Sequence, residues 1–156
     1  MNSFDLGIRD CRRSDLDNIC KIEEICHGSA EAIRRVAFTQ YFDLFAPAFV
    51  LAETSSQAIG FAVGGLALGD HVRLAWLLDV AILPAFQGCG AGYTISRRVL
   101  DRLIKGGAAR IQATVAPGND RSLKMLTRLG FHTIDDIPEY FGSGQRRFLM
   151  ELRCEV

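Results

Sequence analysis

Between Pro84 and the next helical stretch the chain runs Gln87-Gly88-Cys89-Gly90-Ala91-Gly92. Residues of these types at this spacing can hold an anion. Glycines let a ligand approach the backbone closely. The first N–H groups of a following helix point outward with no intrahelical acceptor. The candidate donors are the amides of Gly88, Cys89, Gly90, Ala91, Gly92 and Tyr93. A tight bend that binds nothing is the other reading of such a loop. Two better-known phosphate motifs do not fit. The loop departs from G-x-G-x-x-G after its second glycine, and it lacks the Gly-Lys-Ser/Thr ending of a P-loop.

Titratable side chains lie on both sides of this loop. Asp79 stands in the strand before it and Tyr140 in a late loop. Glu23 and Glu24 fall on the first helix, where they read as surface charges, while His27 on that helix and His132 at a late strand are either bases or ordinary loop or surface histidines. Cys89 is at a helix N-terminus, where a thiol can ionise more easily. It reads here as a tolerated small residue. The five cysteines are an odd number without a Cys-x-x-Cys pair, which points to free thiols in a reducing compartment. No metal-ligand spacing is present, so no metal is expected. Spacing reveals no Ser-His-Asp set.

The elements that must position these groups follow from periodicity. Phe4 to Arg9 alternates as a strand. Ser14 is the expected N-cap of a helix running to about His27, with Leu16, Ile19, Cys20 and Ile22 inward. A second helix fits Ala30 to Phe45. Its aromatic tail of Phe38, Tyr41, Phe42 and Phe45 is either core or one edge of a substrate pocket. Strands follow at Phe49–Glu53, Ala58–Leu68 and Arg73–Ile82. The middle one is apolar on both faces, as a central strand would be. In the last, Leu74, Trp76, Leu78, Val80 and Ile82 are expected on one face, with Leu77, Asp79 and Ala81 on the other. A helix to about Lys105 buries Ile95, Val99 and Leu103. Then come a strand from Arg110 to Val115, a helix with Leu123, Leu126 and Leu129 inward, and strands at His132–Ile134 and Arg147–Leu152. Asp135 to Gln145 is expected to be a loop. Early hairpins and one strand-helix-strand unit predict an α/β (α+β) fold: a mixed, mostly antiparallel central sheet flanked by helices. No linker or repeat divides residues 1–156, so one domain is expected.

At the glycine loop the chain resembles the GCN5-related N-acetyltransferases (GNAT). Their signature, Gln/Arg-x-x-Gly-x-Gly/Ala after the fourth strand, is matched by Gln87 to Gly92. Leu78 to Phe86 is similar to the family's fourth strand and its exit. Asn119 and Leu129-Gly130-Phe131 resemble its downstream segment. The resemblance implies the acyl-CoA N-acyltransferase fold, with acetyl-CoA as cosubstrate and an amine as acceptor. It implies that backbone groups of Val80, Ala81 and Ile82 pair with pantetheine. The amides from Gly88 to Tyr93 would hold the pyrophosphate, and Asn119 would reach the pantetheine arm. Arg97, Arg121 and Lys124 are candidates for the 3′-phosphate.

Acyl transfer to an amine needs a neutral amine, donors for the oxyanion and a departing thiolate. A lysine amine ionises near ~10.4, so a carboxylate base helps. A backbone N–H around Val80 to Ile82 could polarise the thioester carbonyl. The family's usual proton donor is a tyrosine at the position held here by Leu126. Asp79 is the candidate base, and Tyr140 the candidate acid. The main reading is direct acetyl transfer to a small molecule, peptide or protein amine. A non-catalytic acyl-CoA-binding module is the alternative, and a generic phosphate-binding α/β enzyme the third reading.

Composition narrows the partners. The chain has 156 residues, 49% hydrophobic, and eighteen Lys+Arg balance eighteen Asp+Glu. That excludes a disordered chain and a general nucleic-acid binder. The start shows no basic region followed by an apolar run, and no apolar stretch is long enough for a membrane span. A cytoplasmic monomer or homodimer is expected.

Overall fold

The computed structural model describes residues 5–31, 33, 35–69 and 73–155. Its elements are β1 (Gly7–Asp10), α1 (Leu16–Glu31), α2 (Arg35–Phe45), β2 (Phe49–Glu53), β3 (Ala58–Leu66), β4 (Leu74–Ile82), α3 (Ala91–Lys105), β5 (Arg110–Val115), α4 (Asp120–Arg128), β6 (His132–Ile137) and β7 (Arg147–Arg153). The strands form one seven-stranded sheet in the order β1-β2-β3-β4-β5-β7-β6. Only β4 and β5 run parallel, and the other pairs are antiparallel. This is the expected mixed sheet. The part of the first strand predicted at Phe4 lies outside the described residues.

Helices cover both faces. The stripe of Ile95, Val99 and Leu103 on α3 packs with Leu126 and Leu129 on one face. Leu16, Ile19 and Ile22 of α1 and Phe38 of α2 pack on the other, against Phe49, Leu51 and Phe61. The close approach of helices to β3 is set by its glycines. A Cβ on Gly64 would lie 2.7 Å from the Trp76 carbonyl and 2.8 Å from Val99. A Cβ on Gly65 would meet the Phe45 ring at 2.5 Å. Phe38 meets Phe61 edge-to-face at 5.3 Å, so the head of the aromatic run on α2 is core.

Two features of β4 shape the clefts beside it. First, β4 pairs with β5 only through Leu74–Trp76 and Arg110–Gln112. Beyond Trp76 the two strands part and open a wedge. Second, the β3–β4 register shifts where Val63 faces Asp79 and Gly64 faces Leu77. Leu78 is therefore an extra residue, a β-bulge. Strict alternation along β4 is overturned by it. Ala75 and Leu77 pack in the α3 core with Val80 and Ile82. Leu78 joins Ala81 on the α1–α2 side.

Smaller departures have local causes. Ser14 does not cap α1. It lies in a 3₁₀ turn, Arg13–Asp15, that precedes the helix. The buried Asp15 carboxylate takes the Arg12 N–H at 2.7 Å and two Arg9 donors at 2.8 and 2.9 Å. Gly28 kinks α1 with φ 73° and ψ 160°, and α1 runs on to Glu31; the second helix begins at Arg35 rather than Ala30. The strand β6 runs on to Ile137 because it keeps pairing with β7. The late loop therefore shortens to residues 138–146. Among the described residues no helix is long and apolar enough to cross a membrane.

Candidate active site

The glycine loop closes β4 and starts α3, with Gly90 as N-cap at φ 87°. Gly88 has φ 82°, and neither glycine has a neighbour within 4 Å of the position a Cβ would take. Both conformations disfavour other residues, and the space beside them is open. The first N–H groups of α3 face a groove of about 560 Å³. Val80, Ala81, Ile82, Gln87, Gly88, Gly90, Ala91, Gly92, Tyr93 and Asn119 all line it. Of the residues expected along the glycine loop, Cys89 alone does not. Its exposed thiol turns back onto the Phe86 carbonyl at 2.9 Å.

Some of these side chains brace the groove. The Gln87 Nε2 donates to the Ile82 carbonyl at 2.9 Å, and its Oε1 accepts from Arg121 at 2.6 Å. Gln87 thus ties the end of β4 to a cation on α4. The Cys26 thiol also donates to Ile82, at 3.2 Å, so that carbonyl is already engaged. Asn119 caps α4 by accepting the Ser122 N–H at 3.2 Å. Three cations flank the groove: Arg121, Lys124 and Arg128. Arg128 was not expected; it lies over the Tyr93 ring at 5.0 Å. Arg97 instead pairs with Asp101 along α3 at 3.1 Å and does not line the groove.

On the other side of β4, the wedge forms a second cleft of about 830 Å³. The bulge at Leu78 turns Asp79 toward α1, where Glu23 and His27 meet it. One ligand-type atom from each of these three residues lies within 4.8 Å of the others. Among the described residues this is the one such group, and its spacing would suit a cation. Glu23 is not a surface group, since it is only 2% exposed. Its Oε1 accepts the Ile33 N–H at 3.2 Å, and its Oε2 stands 3.6 Å from His27 Nε2. Glu23 Oε2 and Asp79 Oδ2 are buried without a hydrogen-bond partner outside the carboxyl pair. Burial, then the Glu23 charge and hydrogen bond, hold the Asp79 carboxyl well above the usual carboxylate range; the Val80 N–H opposes this weakly. Asp79 therefore keeps a proton to higher pH than a free carboxyl does, and the pair titrates as a unit.

The two clefts meet at His27, which lines both. Tyr41 and Tyr140 line the wedge cleft rather than the groove. Burial raises the Tyr41 hydroxyl above its ordinary value, helped by the charges of Asp79 and Glu23. The tail of α2 thus serves both expected roles, with Phe38 in the core and Tyr41 on the cleft wall. Tyr140 stacks edge-to-face on Phe141 at 4.7 Å. Leu126 is buried in the core, so α4 offers no hydroxyl at that position. Sequence reasoning missed the weight of Glu23 and His27. Their i, i+4 spacing puts them on one face of α1, but only the packing of that face over β4 gives them their burial.

The family model described as "Acetyltransferase (GNAT) family" matches residues 16–131. An L-2,4-diaminobutyric acid acetyltransferase from Nocardia farcinica is 30% identical over 77 residues, which is 49% of this chain and 39% of that protein. The aligned stretch therefore spans well under half of that relative. The NatC complex bound to Gag peptide and CoA has a similar chain, with TM-score 0.87 at 13% identity over 97% of this chain and 99% of that one. A ribosomal-protein alanine N-acetyltransferase from Escherichia coli gives TM-score 0.82 at 20% identity over 97% and 96%. At such identities the likeness is one of fold. The match of the family model over most of the sequence places the chain in the GNAT acetyltransferase family.

Proposed function

We propose that the protein transfers the acetyl group of acetyl-CoA directly to an amine. The carrying observation is the junction at His27. A groove of backbone donors and cations ends there, and a cleft begins in which one oxygen each of the buried Glu23 and Asp79 has no partner outside the pair. Pyrophosphate would lie against the first turn of α3, where unpaired N–H groups and the helix dipole favour negative charge. Arg121, Lys124 and Arg128 would meet the remaining phosphate. The solved relative holding CoA and a peptide, and the diaminobutyric acid acetyltransferase, support both halves of this reading.

The chemistry then follows from the cleft. An incoming ammonium ion is attracted to the Glu23–Asp79 pair. The ionised pair accepts its proton, and the neutral amine attacks the thioester carbonyl. The N–C bond forms, the C–S bond breaks, and the products are an amide and CoA thiol. A Val80 or Ile82 N–H at the parted edge of β4 can stabilise the oxyanion. A thiol ionises near ~8.5, well below a side-chain amine near ~10.4, so with such an acceptor a thiolate departs without a dedicated acid. His27, touching both clefts, is placed to pass a proton to it. Tyr140 would contact the acceptor.

Thiol release from acetyl-CoA across a panel of amines and peptides tests this directly, with calorimetry for CoA binding. Binding without turnover on any amine class would favour a non-catalytic acyl-CoA module. The buried Leu126, where the family usually has a hydroxyl, is the observation behind that second reading. The loop assignment has its own check. Gly90→Asp places a carboxylate in the open space beside the pyrophosphate, and CoA binding should fall beyond calorimetric detection. Retained affinity would refute the assignment.

A further inference from the structure

The wedge cleft has an acidic wall and, across the parted strands, a cationic one. Asp79 on β4 and Glu23 on α1 form the first. Thr114 on β5 and Arg147 at the start of β7 belong to the second. β5 lies between β4 and β7 in the sheet, so Arg147 stands on the opposite side of the wedge from Asp79.

Arg147 differs from its neighbour. Arg146 is spent on Asp136, with two donors at 2.7 and 2.6 Å. Arg147 has no carboxylate partner among the described residues. Its donors go to neutral oxygens, the Arg146 carbonyl at 2.8 Å and the Gln145 amide at 3.2 Å. Its guanidinium lies over the Phe141 ring at 5.1 Å. The side chain is part-buried, held in place by these contacts and facing a cleft whose other charges are acids. A guanidinium so held is preorganised for a planar oxyanion.

We infer that the acceptor carries a free carboxylate as well as its amine, as an amino acid does, and that Arg147 binds the carboxylate while Asp79 and Glu23 receive the amine. This rests on the acetyltransferase reading of the same cleft. A peptide N-terminus, whose first carboxyl is an amide, lacks the second handle.

The test uses the full chain loaded with acetyl-CoA. Acceptors are the common α-amino acids and ornithine, each beside its carboxamide. The parent should prefer the carboxylate form by about tenfold or more in KM, the scale of a hydrogen bond to a charged group. Arg147→Gln should erase that preference by raising KM for the acids only, and Arg147→Lys should restore part of it. A merely structural role for Arg147 in its loop would raise KM for acid and amide alike, and that result overturns the inference. Equal KM for acid and amide in the parent, or preferred turnover of peptide N-termini, also overturns it. If no acceptor turns over, NMR titration of the CoA-loaded protein with the same pairs decides. Carboxylate-dependent binding lost in Arg147→Gln upholds the inference and sinks only acetyl transfer. No binding sinks both.

Discussion

Asp79 and Glu23 are two carboxyls in a place where two negative charges are costly. Neither Asp79 Oδ2 nor Glu23 Oε2 has a hydrogen-bond partner outside the pair, and the neighbouring His27 stands 3.6 Å from Glu23. Such a pair persists in a fold when it serves a ligand that brings the missing charge or proton. Asp79→Asn should lower kcat/KM for acetyl transfer by about 10²–10⁴, with CoA affinity by calorimetry unchanged. The same variant carries a stability signature. The folded carboxyl ionises only above the range of an unfolded aspartate. Between those two values the folded chain holds a proton that the unfolded chain has released, so parent stability falls as pH rises through that window. The Asn variant lacks this loss. Its Tm advantage should therefore widen from about pH 4 upward, and a flat difference would show that Asp79 is not held protonated. Asp79 was legible as a candidate from its place before the glycine loop. Glu23 was not, because its burial comes from α1 packing over β4, which no spacing on α1 alone encodes.

At the scale of elements, the bulge at Leu78 does what side-chain chemistry cannot. It lets Leu77 and Val80 feed one core while Asp79 faces the other side. Alternation along β4 predicted the wrong partners for Leu77 and Leu78 because a period of two cannot register an inserted residue. The glycine loop was legible because all of its information is local: a strand end, positive-φ glycines and a helix start. The bulge depends on β3 across the ladder, where Gly64 leaves room for α3. A methyl group on Gly64 would press on the Trp76 carbonyl at 2.7 Å, Val99 at 2.8 Å and Leu103 at 2.9 Å. Gly64→Ala should cost about 1–3 kcal/mol of stability in urea unfolding, because backbone and two packed side chains cannot all yield. No measurable loss would mean that α3 is free to shift away from β3, and the fixed placing of the groove would no longer hold.

At the scale of the whole molecule, formal neutrality conceals a division of charge. Cations gather at the groove, through Arg121, Lys124 and Arg128, while acids gather at the floor of the wedge. Composition could exclude a general polyanion binder but could not display this division, since it arises when distant segments meet along β4. The division makes a distinct prediction about salt. Exposed charges are screened over about 10 Å at 0.1 M ionic strength and about 3 Å at 1 M. The first-turn amides of α3 act at hydrogen-bond range and are little affected. The three cations act partly through solvent and should weaken. CoA affinity should therefore fall several-fold between low and high salt without vanishing. Dephospho-CoA, which lacks the 3′-phosphate, should show a shallower dependence, and Arg128→Gln should flatten the slope for CoA toward that of dephospho-CoA. Identical slopes for the two ligands would mean that the α4 cations do not meet the 3′-phosphate, leaving the backbone loop as the sole anion site.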